Sequence, residues 1–204
     1  MFENKICIGL TGGIATGKST VIQFFNQLQI NSICADSIAK AIVKANSVTL
    51  KEIVKTFGKD ILQANGELNR EKLKSIIFED KAKKLKLEAI MHPMIRGEIK
   101  NQITKTTSYY TVIDIPLLID RNIYPYLDYV VSIDMPEIIQ LQRLLKRDQI
   151  NEKKAHQILN AQIKRAERFL VADYILHNFQ SIDHLKTQVE SLNQHILKRF
   201  NKKN

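Results

Sequence analysis

The chain has 204 residues, 44% hydrophobic and 25% charged, which excludes a disordered chain, a collagen and a coiled-coil rod and fits one large domain or one domain with an insert. Lys and Arg number 31 against 21 Asp and Glu, a net charge of +10, which favours an anionic partner: nucleic acid, a membrane surface or a phosphorylated small molecule. With Cys7 and Cys34 the only cysteines, a disulfide framework or a cysteine-built metal cluster is excluded by count.

Residues 5–10 (KICIGL) form a short apolar run ending in glycines and predict a buried strand. Val21, Ile22, Phe25 and Leu28 then recur at helical spacing, predicting a helix from about 18 to 29. Residues 30–34 (INSIC) read as a second strand. Strand, helix and strand in so short a span make a βαβ unit, with parallel strands and a right-handed crossover. Cys7 and Cys34 fall in these apolar runs and are expected to be buried thiols. The opening MFENKICIGL puts Glu3 and Lys5 before a very short apolar run. That is neither a signal peptide nor a membrane span, so the expected location is cytoplasmic.

From 37 to about 105 no strand is expected. Ser47 reads as an N-cap, with Leu50, Ile53, Val54 and Phe57 on one face and Gly58 as the stop. Asn65-Gly66 marks a turn, Leu73, Ile76 and Ile77 begin another helix, and 81–90 is a basic amphipathic helix interrupted around His92-Pro93. Strand character returns at 109–115 (YYTVIDI) and 128–133 (DYVVSI). Pro136 opens a helix with Ile138, Leu141 and Leu145 on one face. Asn151 caps the next, with Ala155, Ile158, Leu159, Ile163, Ala166 and Leu170 inward. Residues 173–176 (DYIL) predict a last strand, and Ser181 caps a terminal helix striped by Ile182, Leu185, Val189, Leu192 and Ile196. Five strands interleaved with helices predict an α/β fold: an open parallel sheet of P-loop NTPase type, flanked by helices, with a helical insert.

Gly12, Gly13, Ile14, Ala15, Thr16, Gly17, Lys18 and Ser19 match G-x-x-x-x-G-K-[ST], and Thr20 completes the nucleotide-binding stretch. Backbone N–H groups must wrap a di- or triphosphate, and a side chain at Gly12 or Gly17 would obstruct the wrap. The helix starting near Lys18 points its positive end at the phosphates. Lys18 reaches the β/γ oxygens, and the Ser19 hydroxyl can ligate Mg²⁺. The loop predicts binding of Mg-nucleotide.

A small-molecule kinase, a GTPase-type switch and a nucleic-acid-dependent ATPase all use this loop. No N-K-x-D guanine reader occurs, and no helix-turn-helix, zinc or RNA-reading motif supports a nucleic-acid partner. A small-molecule kinase should carry an acceptor-binding insert after the second strand and an arginine-rich lid, and both are visible. Asp36 directly follows the second strand. Its carboxylate could accept the proton of an attacking hydroxyl, or it could cap the helix that starts near Ser37. Arg143 and Arg147 stand four apart on one helix face, where like charges repel unless an anion lies between them. With Arg165 and Arg168 they predict a cationic helical hairpin that stabilises charge on a transferring phosphoryl group.

The blocks IGLTGGIATGKST, ADSIAK after the second strand, MHP at 91–93, IPLLID at 115–120, QRLLKRD at 142–148, and ILNAQIKRAE followed by AD and Asn178 resemble, in order and spacing, the dephospho-coenzyme A kinase family. The resemblance spans the chain. It implies transfer of the ATP γ-phosphate, with Mg²⁺, to the ribose 3′-hydroxyl of dephospho-coenzyme A. It implies Asp36 as base and acceptor-site residue and Arg143 and Arg147 as lid residues. Lys40, His92 and Leu117 are the implied acceptor contacts, and Asp114 could reach the Mg²⁺ shell through water. Asp120 stands where many members carry Glu, and His177 stands where an acid is common. The implied organisation is a nucleotide-binding core at 1–36, 106–136 and 171–204, a coenzyme-binding insert at 37–105 and a lid at 137–170. The residues leave two other outcomes open: a nucleoside or nucleoside-monophosphate kinase, and a non-catalytic ATP-binding module. The expected partners are ATP and the acceptor, with neither nucleic acid nor membrane; monomer and homo-oligomer are equally compatible with the sequence.

Overall fold

Strands β1 (Ile6–Gly12), β2 (Asn31–Cys34), β3 (Tyr110–Asp114), β4 (Tyr129–Asp134) and β5 (Tyr174–His177) lie in the order β2-β3-β1-β4-β5 in the computed structural model. The structure describes residues 5–116, 118 and 120–201. β1 runs parallel to β3, with Ile8 opposite Val112, and to β4, with Leu10 opposite Val131. β4 runs parallel to β5, with Ile133 opposite Leu176. Bordered on both sides, β1 buries Cys7, Ile8 and Leu10 in succession, as a central parallel strand must.

One face of the sheet carries Ile8, Leu10, Tyr110, Val112, Tyr129, Val131 and Ile133, the alternation that a pleated strand imposes. Val21 and Phe25 of α1 (Lys18–Gln27) and Leu185, Val189, Leu192 and Ile196 of the terminal helix α9 (Ile182–Phe200) pack against it. Ser181 caps α9 by accepting from the His184 N–H at 3.1 Å. Ile182, expected in the α9 stripe, is 57% exposed, because it lies in the first turn, before the helix reaches the core.

The chain divides into two compact units, one taking the chain up to Ile33 and from Lys105 onward, the other Cys34–Thr104. In the second, α2 (Ala35–Ala41), α3 (Val48–Phe57), α4 (Arg70–Glu79) and most of α5 (Lys81–Lys105) surround a separate core of Val43, Leu50, Ile53, Ile61, Leu68 and Leu73. Ser47 caps α3 through the Leu50 N–H, and Gly58, at φ 89°, ends it. α5 continues through Pro93, where the sequence predicts an interruption. Pro93 is exposed, and Leu87, Ile90 and Met91, in the turns before it, pack against the core of this unit, which offsets the hydrogen bond that proline removes.

The remaining helices are α6 (Glu137–Asp148), α7 (Glu152–Asn160) and α8 (Arg165–Leu170). Leu141, Leu144, Ala155 and Leu159 form a small core between α6 and α7. Asn151 caps α7 through the Lys154 N–H at 2.9 Å. Two expectations fail here. Ile138 is 62% exposed, and the buried face of α6 instead holds Gln140, Leu141 and Leu144. The helix predicted to run to Leu170 breaks after Asn160; beyond the break Ala166 is exposed and Leu170 is 86% exposed, whereas Arg168 is buried.

Candidate functional site

β1 runs straight into the glycine-rich loop, and the loop opens α1. Gly17 is the N-cap of α1, with φ 90° and ψ 27°. That left-handed conformation costs an L-residue about 1–2 kcal/mol. Being glycine, the capping residue has no side chain to bond the first-turn amides, and uncapped N–H groups at a helix start are what an anion site uses. Ala15 is also left-handed, at φ 57°. Lys18, first in α1, extends its ammonium to the carbonyls of Gly12 at 2.7 Å and Gly13 at 3.3 Å. A cavity of about 400 Å³ is lined by Gly13, Ala15, Thr16, Gly17, Lys18, Ser19, Asp114, Arg143 and Arg147. The structure thus brings together the loop, the carboxylate ending β3 and the two arginines of α6. Gly12, Ile14 and Thr20 do not line it.

The loop is held from behind by side-chain amides. Within the loop, the Thr16 hydroxyl donates to Gly13 O at 2.8 Å. Asn178, just past β5, donates to Thr16 O at 2.8 Å. Gln140 of α6 donates to Ile14 O at 2.7 Å, and Gln162, in the turn after α7, accepts from the Ile14 N–H at 2.7 Å. The Ile14 side chain packs on the α6–α7 core, so this residue, expected to touch nucleotide, faces the helices. These contacts explain two glycines. A Cβ on Gly13 would lie 2.6 Å from Gln140 Nε2, and one on Gly17 would overlap the Asn178 amide.

The predicted cationic hairpin is divided. Arg143 and Arg147 face the loop cavity, and Arg147 also pairs with Asp148 at 2.6 and 3.0 Å. The hydrogen bond to Asp148 raises the Arg147 pKa above its ordinary value. Arg165 and Arg168 line a different cavity of about 340 Å³, together with Glu137, Gln140, Gln162 and Lys164. Arg165 chelates Asp134, at the end of β4, at 2.5 and 2.6 Å, and His177 Nδ1 lies 3.2 Å from the same carboxylate. Burial pushes the Asp134 carboxyl up, but hydrogen bonds and charge from Arg165, joined by His177, outweigh burial and hold it below its ordinary value. Burial lowers the Arg168 pKa, and neighbouring Arg165 adds to the effect. Arg168 donates to Ile163 O.

Asp36, Lys40 and His92 belong to the second unit. Asp36 is not an N-cap: α2 starts at Ala35, with Cys34 in the capping position, so Asp36 is already in the first helical turn and is exposed. Its carboxylate suits the positive end of that helix. Lys40 follows one turn later, and its carbonyl accepts from Arg70 at 3.2 Å. His92 is mid-helix in α5 and exposed, not at a junction. This unit has an apolar cavity of about 170 Å³ that includes Val43, Leu68, Leu87 and Met91, with Arg70 and Lys74. Leu117 lies outside the described residues. Asp120 accepts from the Asn122 N–H at 2.8 Å and caps a short 3-10 turn, Arg121–Ile123.

A hydroxyl at Ser19 and a carboxylate at Asp114, 8% exposed, share the loop cavity. Hard oxygen donors of this kind suit Mg²⁺ alongside phosphate oxygens. Among the described residues no group of three or more His, Cys, Asp or Glu forms a metal cage.

Sequence reasoning missed Gln140 and Asp134. Gln140 sits at a position whose period marks it as buried, but its polarity hid it. Asp134 ends a strand as Asp114 does, and that shared position was its available signal.

The family model described as Dephospho-CoA kinase matches residues 6–184. The chain is 41% identical over 191 residues to a dephospho-CoA kinase of Legionella pneumophila (strain Paris), covering 94% of this chain and 95% of that protein. It is 33% identical to the structure of a dephospho-CoA kinase from Campylobacter jejuni, with a TM-score of 0.70, covering 94% of this chain and 97% of that one. A shikimate kinase from Acinetobacter baumannii is 20% identical, with a TM-score of 0.51 and coverage of 97% and 96% of the two chains; that likeness concerns the fold alone.

Proposed function

The chain belongs to the dephospho-CoA kinase family, and on that premise we propose that it transfers the γ-phosphoryl group of ATP to the ribose 3′-hydroxyl of dephospho-coenzyme A, giving coenzyme A and ADP. The observation that carries the reading is the single cavity lined by Lys18, Ser19, Asp114, Arg143 and Arg147. Its loop amides and cations match a polyphosphate in shape and sign.

In this reading the acceptor oxygen forms a bond to the γ-phosphorus as the bond to the bridging β,γ-oxygen breaks. The hydroxyl proton passes to the Asp36 carboxylate, and the charge left on ADP is met by Lys18 and the loop amides. Arg143 and Arg147 meet the charge spread over the transferring group. When bound, Mg²⁺ would neutralise phosphate charge, with Ser19 and, through water, Asp114 as its protein donors. Lys40, His92 and the apolar cavity flanked by Arg70 and Lys74 are assigned to the acceptor, whose pantetheine arm is extended and whose pyrophosphate is anionic. Residues 137–170 act as a lid that excludes water. No helix among the described residues is long and apolar enough to cross a membrane, and a cytoplasmic location is part of the reading.

The test is ADP release with Mg-ATP, comparing dephospho-coenzyme A with AMP, CMP and adenosine, and product mass to count the added phosphate. Turnover confined to dephospho-coenzyme A is the expected result. Turnover with a nucleotide instead would move the chain to another kinase activity. ATP binding with no turnover on any acceptor would make it a non-catalytic module.

A further inference from the structure

Neither Gln140 nor Gln162 lines the loop cavity, yet between them they take both hydrogen-bonding groups of Ile14, at 2.7 Å each. Which amide atom points where is dictated, since an N–H can only donate and a carbonyl only accept. The Ile14 carbonyl belongs to the peptide that leads into Ala15, the residue forced left-handed. Such backbone persists only where its surroundings over-determine it. Gln140 pins the peptide before Ala15, Gln162 pins the peptide before Ile14, and the Ile14 side chain is packed on the α6–α7 core. Three contacts, all from the α6–α8 segment that follows β4, therefore set the tip of the phosphate loop.

We propose that Gln140 and Gln162 are positioning residues that clamp the Ile14 peptides, so that the loop amides stay aimed at the nucleotide and the α6–α8 segment is coupled to nucleotide affinity. This rests on the reading of the loop as an ATP site. Without the clamp, the peptides around Ala15 relax toward ordinary backbone, the concave arrangement of N–H groups is lost, and affinity falls before any acceptor is present. The acceptor site in the other unit is untouched.

The experiment measures ATP affinity by calorimetry without acceptor, KM for each substrate, and Tm, in Gln140→Leu, Gln162→Leu, Gln140→Glu and Gln162→Glu. Both Leu variants should weaken ATP binding about tenfold, with KM for dephospho-coenzyme A within about twofold and Tm little changed. Gln162→Glu keeps an acceptor for the Ile14 N–H and should retain most of the affinity. Gln140→Glu sets a carboxylate against the Ile14 carbonyl and should not. The two Glu variants add the same charge, so their contrast reads the direction of the hydrogen bond. Unchanged ATP affinity in both Leu variants, or equal behaviour of the two Glu variants, overturns the clamp. A fall in Tm with no specific loss of ATP affinity reduces the glutamines to structural contacts and also overturns it. Failure of the unsubstituted chain to phosphorylate dephospho-coenzyme A would instead strike the functional reading, and the binding measurement would still judge the clamp.

Discussion

Asn178, just beyond β5, donates its side-chain amide to the carbonyl of Thr16 at 2.8 Å, across 162 residues of chain. The bond ties the start of the loop before α9 to the last residue ahead of the Gly17 cap. The amide lies so close that Gly17 has no room for a Cβ. Asn178→Ala leaves a buried carbonyl unsatisfied, a loss of about 1–3 kcal/mol. ATP affinity should fall about tenfold or more by calorimetry. Gly17→Ala should fall further, and Gly17→Ala with Asn178→Ala should not recover, because removing the clash leaves φ 90° in place. Full recovery in the double variant would show that the overlap alone requires the glycine.

Asp36→Asn should leave ATP affinity unchanged and lower kcat by about 10²–10⁴-fold, the usual contribution of a positioned base. The structure excludes the N-cap alternative, since Cys34 occupies that position. Turnover equal to the unsubstituted chain would remove Asp36 from the proton transfer. Lys18→Ala is the complementary case, with both ATP binding and turnover reduced.

Arg143→Ala and Arg165→Ala should separate the two arginine pairs. Arg143 lines the loop cavity, and Arg165 is bound to Asp134 beside the other one. Arg143→Ala should depress kcat/KM for ATP by about tenfold or more with Tm near its original value. Arg165→Ala should lower Tm by leaving the Asp134 carboxylate, with 1% side-chain exposure, without its main partner. Equal kinetic and stability losses in both variants would contradict the division.

Asp134 also gives the fold a dependence on acid. Its folded-state pKa lies below the ordinary value, so the unfolded chain takes up this proton first as pH falls. The stabilisation is complete above the unfolded-state pKa, about 3.9, and is lost as pH falls toward the folded-state value. Asp134→Asn should cost about 2 kcal/mol at neutral pH. It should also flatten the stability profile below about pH 4, followed by urea unfolding across pH. A profile as steep as that of the unsubstituted chain would assign the acid sensitivity to other carboxylates.

Much of the fold was legible because its signals are local. The βαβ opening, the caps at Ser47, Asn151 and Ser181 and the stop at Gly58 each depend on a few adjacent residues, and each is found where the pattern puts it. The loop was legible for the same reason: wrapping a phosphate concentrates its glycines, lysine and serine in eight consecutive positions. Helical periodicity misled where burial is polar. On α6 the inward position belongs to Gln140, and after α7 the chain breaks helix to present Gln162 and the Ile163 carbonyl, with Arg168 buried in place of Ala166 and Leu170. A rule that equates burial with hydrophobicity cannot find an amide or guanidinium buried because it has a partner.

The sequence by itself determined the class of chemistry, since a phosphate-binding loop is a contiguous requirement, and it determined the alternation of strands and helices, though not the strand order. Only the tertiary structure decided which arginines meet the loop, which amides hold it, and that Ile14 turns toward the helices. Those outcomes depend on pairs 126 and 148 residues apart, and no local propensity specifies the meeting of two side chains until the sheet and its helices have packed.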